Sequence, residues 1–192
     1  QRAIASRMLF RASDRELAEE AWAGEIIGTP NHGQLRIGDA LTEGETLKFA
    51  GIPSFAPELL QSVRATDPMK AKHLDKALNQ FAEEGAAKLF KPMIGAGWVV
   101  GVVGALQFEV LASRIELEYG IPVRFEQSQF SSARWLTGPK EILGKFMDIN
   151  KGHMATDHDG DPVYMTRLQW DIDRVERDYP ELKLTATKEI MV

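Results

Sequence analysis

From residue 51 to about residue 127 the apolar positions follow two alternating rhythms. Residues 58–65 read as a strand, and Asp67 then stands as an N-cap with Pro68 at the first helical position. Leu74, Ala77, Leu78 and Phe81 recur at helical spacing, and Gly85 ends that helix in the left-handed conformation. Residues 86–92 form a short strand, Gly95 and Gly97 mark a hairpin turn, and 98–103 is a buried strand rich in β-branched residues. A second helix covers 105–119, with Phe108, Leu111, Ile115 and Tyr119 in one stripe and Leu106, Val110 and Leu117 widening it. Gly120 and Pro122 stop it, and Val123, Arg124 and Phe125 alternate as the next strand. The order is β-α-β-β-α-β, the ferredoxin-like arrangement, in which two helices cover one face of a four-stranded antiparallel sheet.

The flanking segments are patterned differently. Residues 1–50 read as short strands and turns, with Asn31-His32-Gly33 and Gly38-Asp39 flanking the alternating 34–37. These strands are too few to close a barrel and read as the end of one. After residue 131 a smaller βαβαβ unit is expected. Its strands are 133–137, 163–166 and the stretch holding Leu182 and Leu184. One helix starts at Pro139 and carries Ile142, Leu143, Phe146 and Met147 inward. The other is marked by Leu168, Ile172, Val175 and Tyr179. The expected fold class is therefore α+β: the end of a β-barrel over 1–50, a ferredoxin-like unit over 51–130 and a smaller α/β unit over 131–192. No internal repeat is visible in the sequence.

Composition narrows the function. The 192 residues hold 28 acidic and 23 basic side chains, which excludes a uniformly basic nucleic-acid coat but leaves room for a local basic face. Cysteine is absent, which removes disulfides, thiolate nucleophiles and cysteine-held zinc. The longest apolar run, 98–106, is far short of the roughly 20 residues of a membrane span. The start at Gln1 has no signal-peptide layout and reads as a cut from something longer.

Five candidate chemistries are set against plainer readings. The stretch 138–146 resembles a phosphate loop, but it has five residues between its glycines where the motif has four, and Phe146 replaces the magnesium-binding hydroxyl. A helix start is the better account. The glycines 95, 97, 101 and 104 fail the dinucleotide spacing, and Gly101 falls inside a strand. Gly101 and Gly104 are instead expected to let a helix lie close to the sheet. His153, Asp157, His158, Asp159 and Asp161 crowd together, but Gly160 is too early for a calcium loop and Leu168 occupies its twelfth position. A solvated acidic loop accounts for them, and no metal site is assigned. The histidines 32, 73, 153 and 158 form no recognisable triad, so no catalytic residue is assigned. The strand 98–103 lacks the basic residue and second aromatic of an RNA-stacking sheet.

Two stretches, 74–85 and 101–111, together with Arg114 and Tyr119-Gly120, resemble domain III of translational GTPases of the elongation-factor-G type. Ala105 and Gln107 stand where the translocase has Glu and His. With 49–59, 106–110 and Ala133-Arg134-Trp135, they look like the GTPase class of peptide chain release factors, release factor three. Residues 28–33 and 37–39 look like the end of that family's barrel, translation-factor domain II. The resemblance implies a parent with an N-terminal GTPase domain that uses GTP and magnesium. The present chain would bind no cofactor and would not be an enzyme itself. It would dock on the ribosome, through ribosomal RNA and proteins, and couple to its own GTPase domain. It would thereby act indirectly on class-one release factors, in the cytoplasm and without a membrane.

Candidate ribosome contacts are Asn31, His32 and Arg36, and Arg134 beside Trp135, because arginine forks to phosphate and an adjacent aromatic stacks. The alternative for the last pair is a surface arginine next to a core tryptophan. Rival functions are a translocase-like or tetracycline-protection GTPase, a metal-binding enzyme using the 153–161 cluster, and a regulatory module binding a small ligand.

Overall fold

The computed structural model describes residues 8–11, 14–17, 22–28, 39–42 and 53–189. The chain divides into two compact units, Gln1–Ala50 with Val192, and Gly51–Met191. In the first, strands β1 (Met8–Arg11), β2 (Asp14–Leu17) and β3 (Ile27–Gly28) form an antiparallel sheet in the order β2-β1-β3. The expected turn at 31–33 and the strand at 34–37 lie outside the described residues.

In the second unit a short strand β4 (Pro53–Phe55) leads into β5 (Leu59–Ala65). The Asp67 carboxylate then accepts a 2.9 Å bond from the Met69 N–H, and Pro68 opens a single 3-10 turn that runs into helix α1 (Ala71–Glu83). Strands β6 (Lys88–Pro92) and β7 (Trp98–Val102) follow as a hairpin through Gly95 and Gly97, with φ of 102° and 105°. Such values suit glycine because it has no Cβ to clash. Helix α2 (Leu106–Tyr119) ends at Gly120, with φ of 64°, and β8 (Val123–Gln127) completes the unit.

After β9 (Ser132–Thr137) and α3 (Lys140–Ile149) comes a strand the sequence pattern did not reveal, β10 (Met154–Asp157). Strand β11 (Pro162–Thr166), helix α4 (Gln169–Asp178), β12 (Lys183–Thr185) and β13 (Thr187–Glu189) close the chain. The βαβαβ expectation is thus corrected: this half is a second βαββαβ unit. The stretch expected to be a polar loop supplies β10, hydrogen-bonded between β6 and β11.

One antiparallel sheet runs through both halves in the order β12-β9-β11-β10-β6-β7-β5-β8. Numbering each unit's strands 1 to 4 gives 4-1-3-2 meeting 2-3-1-4. The halves are therefore related as by a twofold axis at the β6–β10 seam, where Thr156 lies opposite Lys91. The internal repeat is one of topology, which is why the sequence does not display it.

Alternation along the strands assigns the cores. Val63, Leu89, Val100 and Val102 point to α1 and α2 and meet Leu78, Phe81, Phe108, Leu111 and Ile115. Leu136, Met154 and Tyr164 point to the same side of the sheet in the second half and meet Phe146 and Val175. Each such side chain, fully buried, is worth about 1.5–3 kcal/mol. On the opposite, helix-free face, Leu60, Phe90, Val99, Ala133, Trp135, Ala155, Val163 and Met165 form a third cluster shared by both halves. Ala56 packs against it, and β4 pairs with β13 as a separate two-stranded ribbon.

Two expectations about packing are corrected. Leu106, Val110 and Leu117 do not widen the buried stripe of α2 but lie exposed, because the helix sets only one side on the sheet. Gly101 makes room for Pro57, not for a helix: a Cβ there would lie 2.7 Å from the Pro57 Cβ, whereas one at Gly104 would meet nothing within 4 Å.

Candidate functional site

The residues that carried the family resemblance have structural work in this fold. Gln107 sits in the first turn of α2, and its Oε1 accepts bonds from the N–H groups of Val103 (2.8 Å) and Gly104 (3.0 Å). It thereby satisfies two backbone donors just before the helix. Asp75 on α1 accepts the Trp98 indole N–H at 2.5 Å and ties the helix to β7. Arg114 reaches Glu118 (2.7 Å) and Glu84 (3.1 Å), with its guanidinium 4.4 Å from the centre of the Phe81 ring. The Tyr119 hydroxyl donates to Gln80 at 2.6 Å. Together these contacts lock the two helices of the first half.

Arg134 and Trp135 do not converge. They are neighbours on β9, so their side chains leave opposite faces of the sheet. The Arg134 guanidinium turns back on its own strand, donating to Ser132 Oγ (3.0 Å) and the Ala133 carbonyl (2.8 Å). Trp135 is 5% exposed in the shared core and gives its indole N–H to Asp157 at 2.9 Å. It is a core tryptophan, with no free ring face for a base. Asn31, His32 and Arg36 lie outside the described residues.

The acidic cluster is more ordered than a solvated loop. Asp157 ends β10, and its Oδ1 accepts the backbone N–H groups of Asp159 (3.0 Å) and Asp161 (2.8 Å). One carboxylate oxygen from each of Asp157, Asp159 and Asp161 lies within 4.8 Å of the others. The Lys188 ammonium, arriving from β13, contacts all three, at 2.8 Å from Asp157 and from Asp159 and with Asp161 closing the set. Burial works against the charge of Lys188, but its bonds to the three aspartates outweigh that and hold its pKa well above the ordinary lysine value. Lys88 stands nearby; burial, and then repulsion from Lys188, push its pKa down. The chain's own cation thus fills the place where a metal would be sought. Sequence reasoning had no reason to include Lys188, which is 27 residues from the nearest of its partners.

The histidines are dispersed. His153 Nδ1 lies 3.0 Å from the Met165 carbonyl, His158 Nδ1 lies 3.2 Å from Asn79 Oδ1, and His73 is on the exposed side of α1. His32 is outside the described residues. Gly138, at the start of the stretch compared with a phosphate loop, is close to the chain at 181–182: a Cβ there would lie 2.9 Å from the Glu181 carbonyl oxygen. Lys145 pairs with Glu141 one turn back at 2.7 Å. Among the described residues no helix is long and apolar enough to cross a membrane.

The fold is an α+β module whose functional-looking residues are engaged in holding it together, and a family match over residues 49–176 makes it a translation-factor module. Residues 49–176 match the family described as Class II release factor RF3, C-terminal domain, and the chain belongs to that family.

Proposed function

We propose that this chain is the ribosome-docking and coupling part of a translation-termination GTPase. The parent promotes GTP-dependent dissociation of class-one release factors from the ribosome. The family match over 49–176 carries the reading. The structure supports it physically: one continuous sheet through both halves transmits a rigid-body displacement better than two hinged units. Its differential contacts with two ribosome states supply the bias that any population shift requires. GTP and magnesium belong to the parent's GTPase domain, and the working place is the cytoplasm.

The test uses post-termination ribosomes carrying a fluorescent class-one release factor. The parent with GTP is expected to accelerate its release, and a parent lacking residues 51–192 is expected to lose that effect. Ribosome-stimulated GTP hydrolysis without release would point to another translational GTPase, and the absence of both activities would refute the proposal.

A further inference from the structure

The outer edge of the first half carries an arrangement that no core or capping contact explains. Strands β5 and β8 pair so that Arg64 lies directly opposite Arg124. Directly opposed residues in an antiparallel pair have Cβ atoms about 5 Å apart and project from the same face, and like charges so placed repel. That face is the helix-free one, because Leu60, on the same side of β5 as Arg64, belongs to the shared core, while Val123 and Phe125, flanking Arg124, pack toward the helices. Both arginines are exposed. Among the described residues Arg64 reaches only Glu126, 3.6 Å away, with the two side chains 72% and 54% exposed. Among the described residues the Arg124 side chain has no ion pair or hydrogen bond. The two arginines, Ala65, Thr66 and Glu126 line one open groove.

We propose that Arg64 and Arg124 clamp a phosphate of an RNA backbone. The inference rests on the ribosome-docking reading and gives it a residue-level contact. Two guanidinium forks on adjacent strands converge on the non-bridging oxygens of one phosphodiester. With Glu126 included the groove carries a net charge of +1, which one phosphodiester neutralises. The groove offers no aromatic or large apolar wall, and protein hot spots centre on such anchors. Recognition here is of backbone charge, and it repays the repulsion built into the strand pair. Sequence reading could not find the site, since the two arginines are 60 residues apart and only strand register brings them together.

The test titrates the full chain against ribosomes and against a short fluorescein-labelled RNA duplex at several salt concentrations. The double variant Arg64→Ala/Arg124→Ala is expected to bind both about tenfold more weakly at ~0.1 M salt, with the log–log salt slope reduced by about one per arginine. Its melting temperature is expected to be unchanged or higher, since a like-charge pair has been removed. Arg124→Lys is expected to keep most of the slope, and Glu126→Gln to tighten binding.

Unchanged affinity and slope in the double variant, with wild-type ribosome binding intact, would overturn the clamp and leave docking standing. Arginine-dependent binding to the duplex without ribosome binding would support the clamp and count against docking. Wild-type binding to neither would overturn both. Binding of inorganic pyrophosphate but not of RNA would replace the clamp with a small-anion site and overturn the proposal.

Discussion

Replacing Lys188 with Met leaves Asp157, Asp159 and Asp161 facing one another without their shared cation. The cost follows from their exposure. The Lys188 and Asp157 side chains are only 17% and 9% exposed, so their 2.8 Å contact is close to a buried ion pair. Removing one partner of such a pair costs about 3–5 kcal/mol. Asp159 and Asp161 are 46% and 51% exposed, and water screens much of their share. A loss of about 2–3 kcal/mol is expected, which in a chain of this size lowers the melting temperature by about 5–10 °C. Urea unfolding followed by tryptophan fluorescence is a suitable assay, because the Trp135 indole also bonds to Asp157 and so reports on the same cluster. The double variant Lys188→Met/Asp157→Asn is expected to cost less than the sum of the single variants, by about 1–2 kcal/mol. A single-variant loss under about 0.5 kcal/mol, or strict additivity, would show that the cage contributes nothing net and refute the reasoning.

Three further outcomes are expected. Gly101→Ala drives a Cβ into Pro57 and against Phe90, 3.1 Å from its ring, and should cost about 1–3 kcal/mol in urea unfolding; adding Pro57→Ala should recover most of it. Trp135→Phe removes one donor from Asp157 and should cost about 1–2 kcal/mol while leaving ribosome binding untouched, a combination that separates a core role from a stacking role. The Lys188 pKa is raised above its unfolded value of 10.5, so its stabilisation is fully present below that pH and lost as pH rises through the folded value. The gap in urea midpoint between wild type and Lys188→Met should therefore hold constant from neutrality to about pH 10 and narrow only in stronger alkali.

Local signals in the sequence were strong where one amphipathic element met one core. Asp67 and Pro68 opening the 3-10 turn that runs into α1, the Leu74–Leu78–Phe81 stripe of that helix and the left-handed Gly120 after α2 agree with the pattern. Signals failed where burial depends on distant chain. Met154 and Ala155 of β10 serve different cores on opposite faces, so the strand shows no alternation. β13 reads Thr-Lys-Glu and is recognisable as a strand only once β4 is beside it. The apolar residues on the outer side of α2 read as core because the sequence does not say which side of a doubly apolar helix the sheet will take. At the candidate site the same limit applies. Arg134 and Trp135 are adjacent in sequence and opposed in space, whereas Lys188 and the aspartates, and Arg64 and Arg124, are remote in sequence and adjacent in space.

The seam between β6 and β10 bears on where this chain tolerates being divided. A lone ferredoxin-like half would present its second strand as an open edge, with unpaired backbone donors and acceptors ready to capture a neighbouring chain. Here each half caps the exposed edge of the other, and β4 pairing with β13 joins the two ends of the unit. Shortening the protein between the halves, near residue 130, would produce two sticky fragments, while the same cut left nicked but unseparated should hold together. The fusion closes both edges once the second half is in place, and until β10 has been made the first half exposes β6 as an open edge.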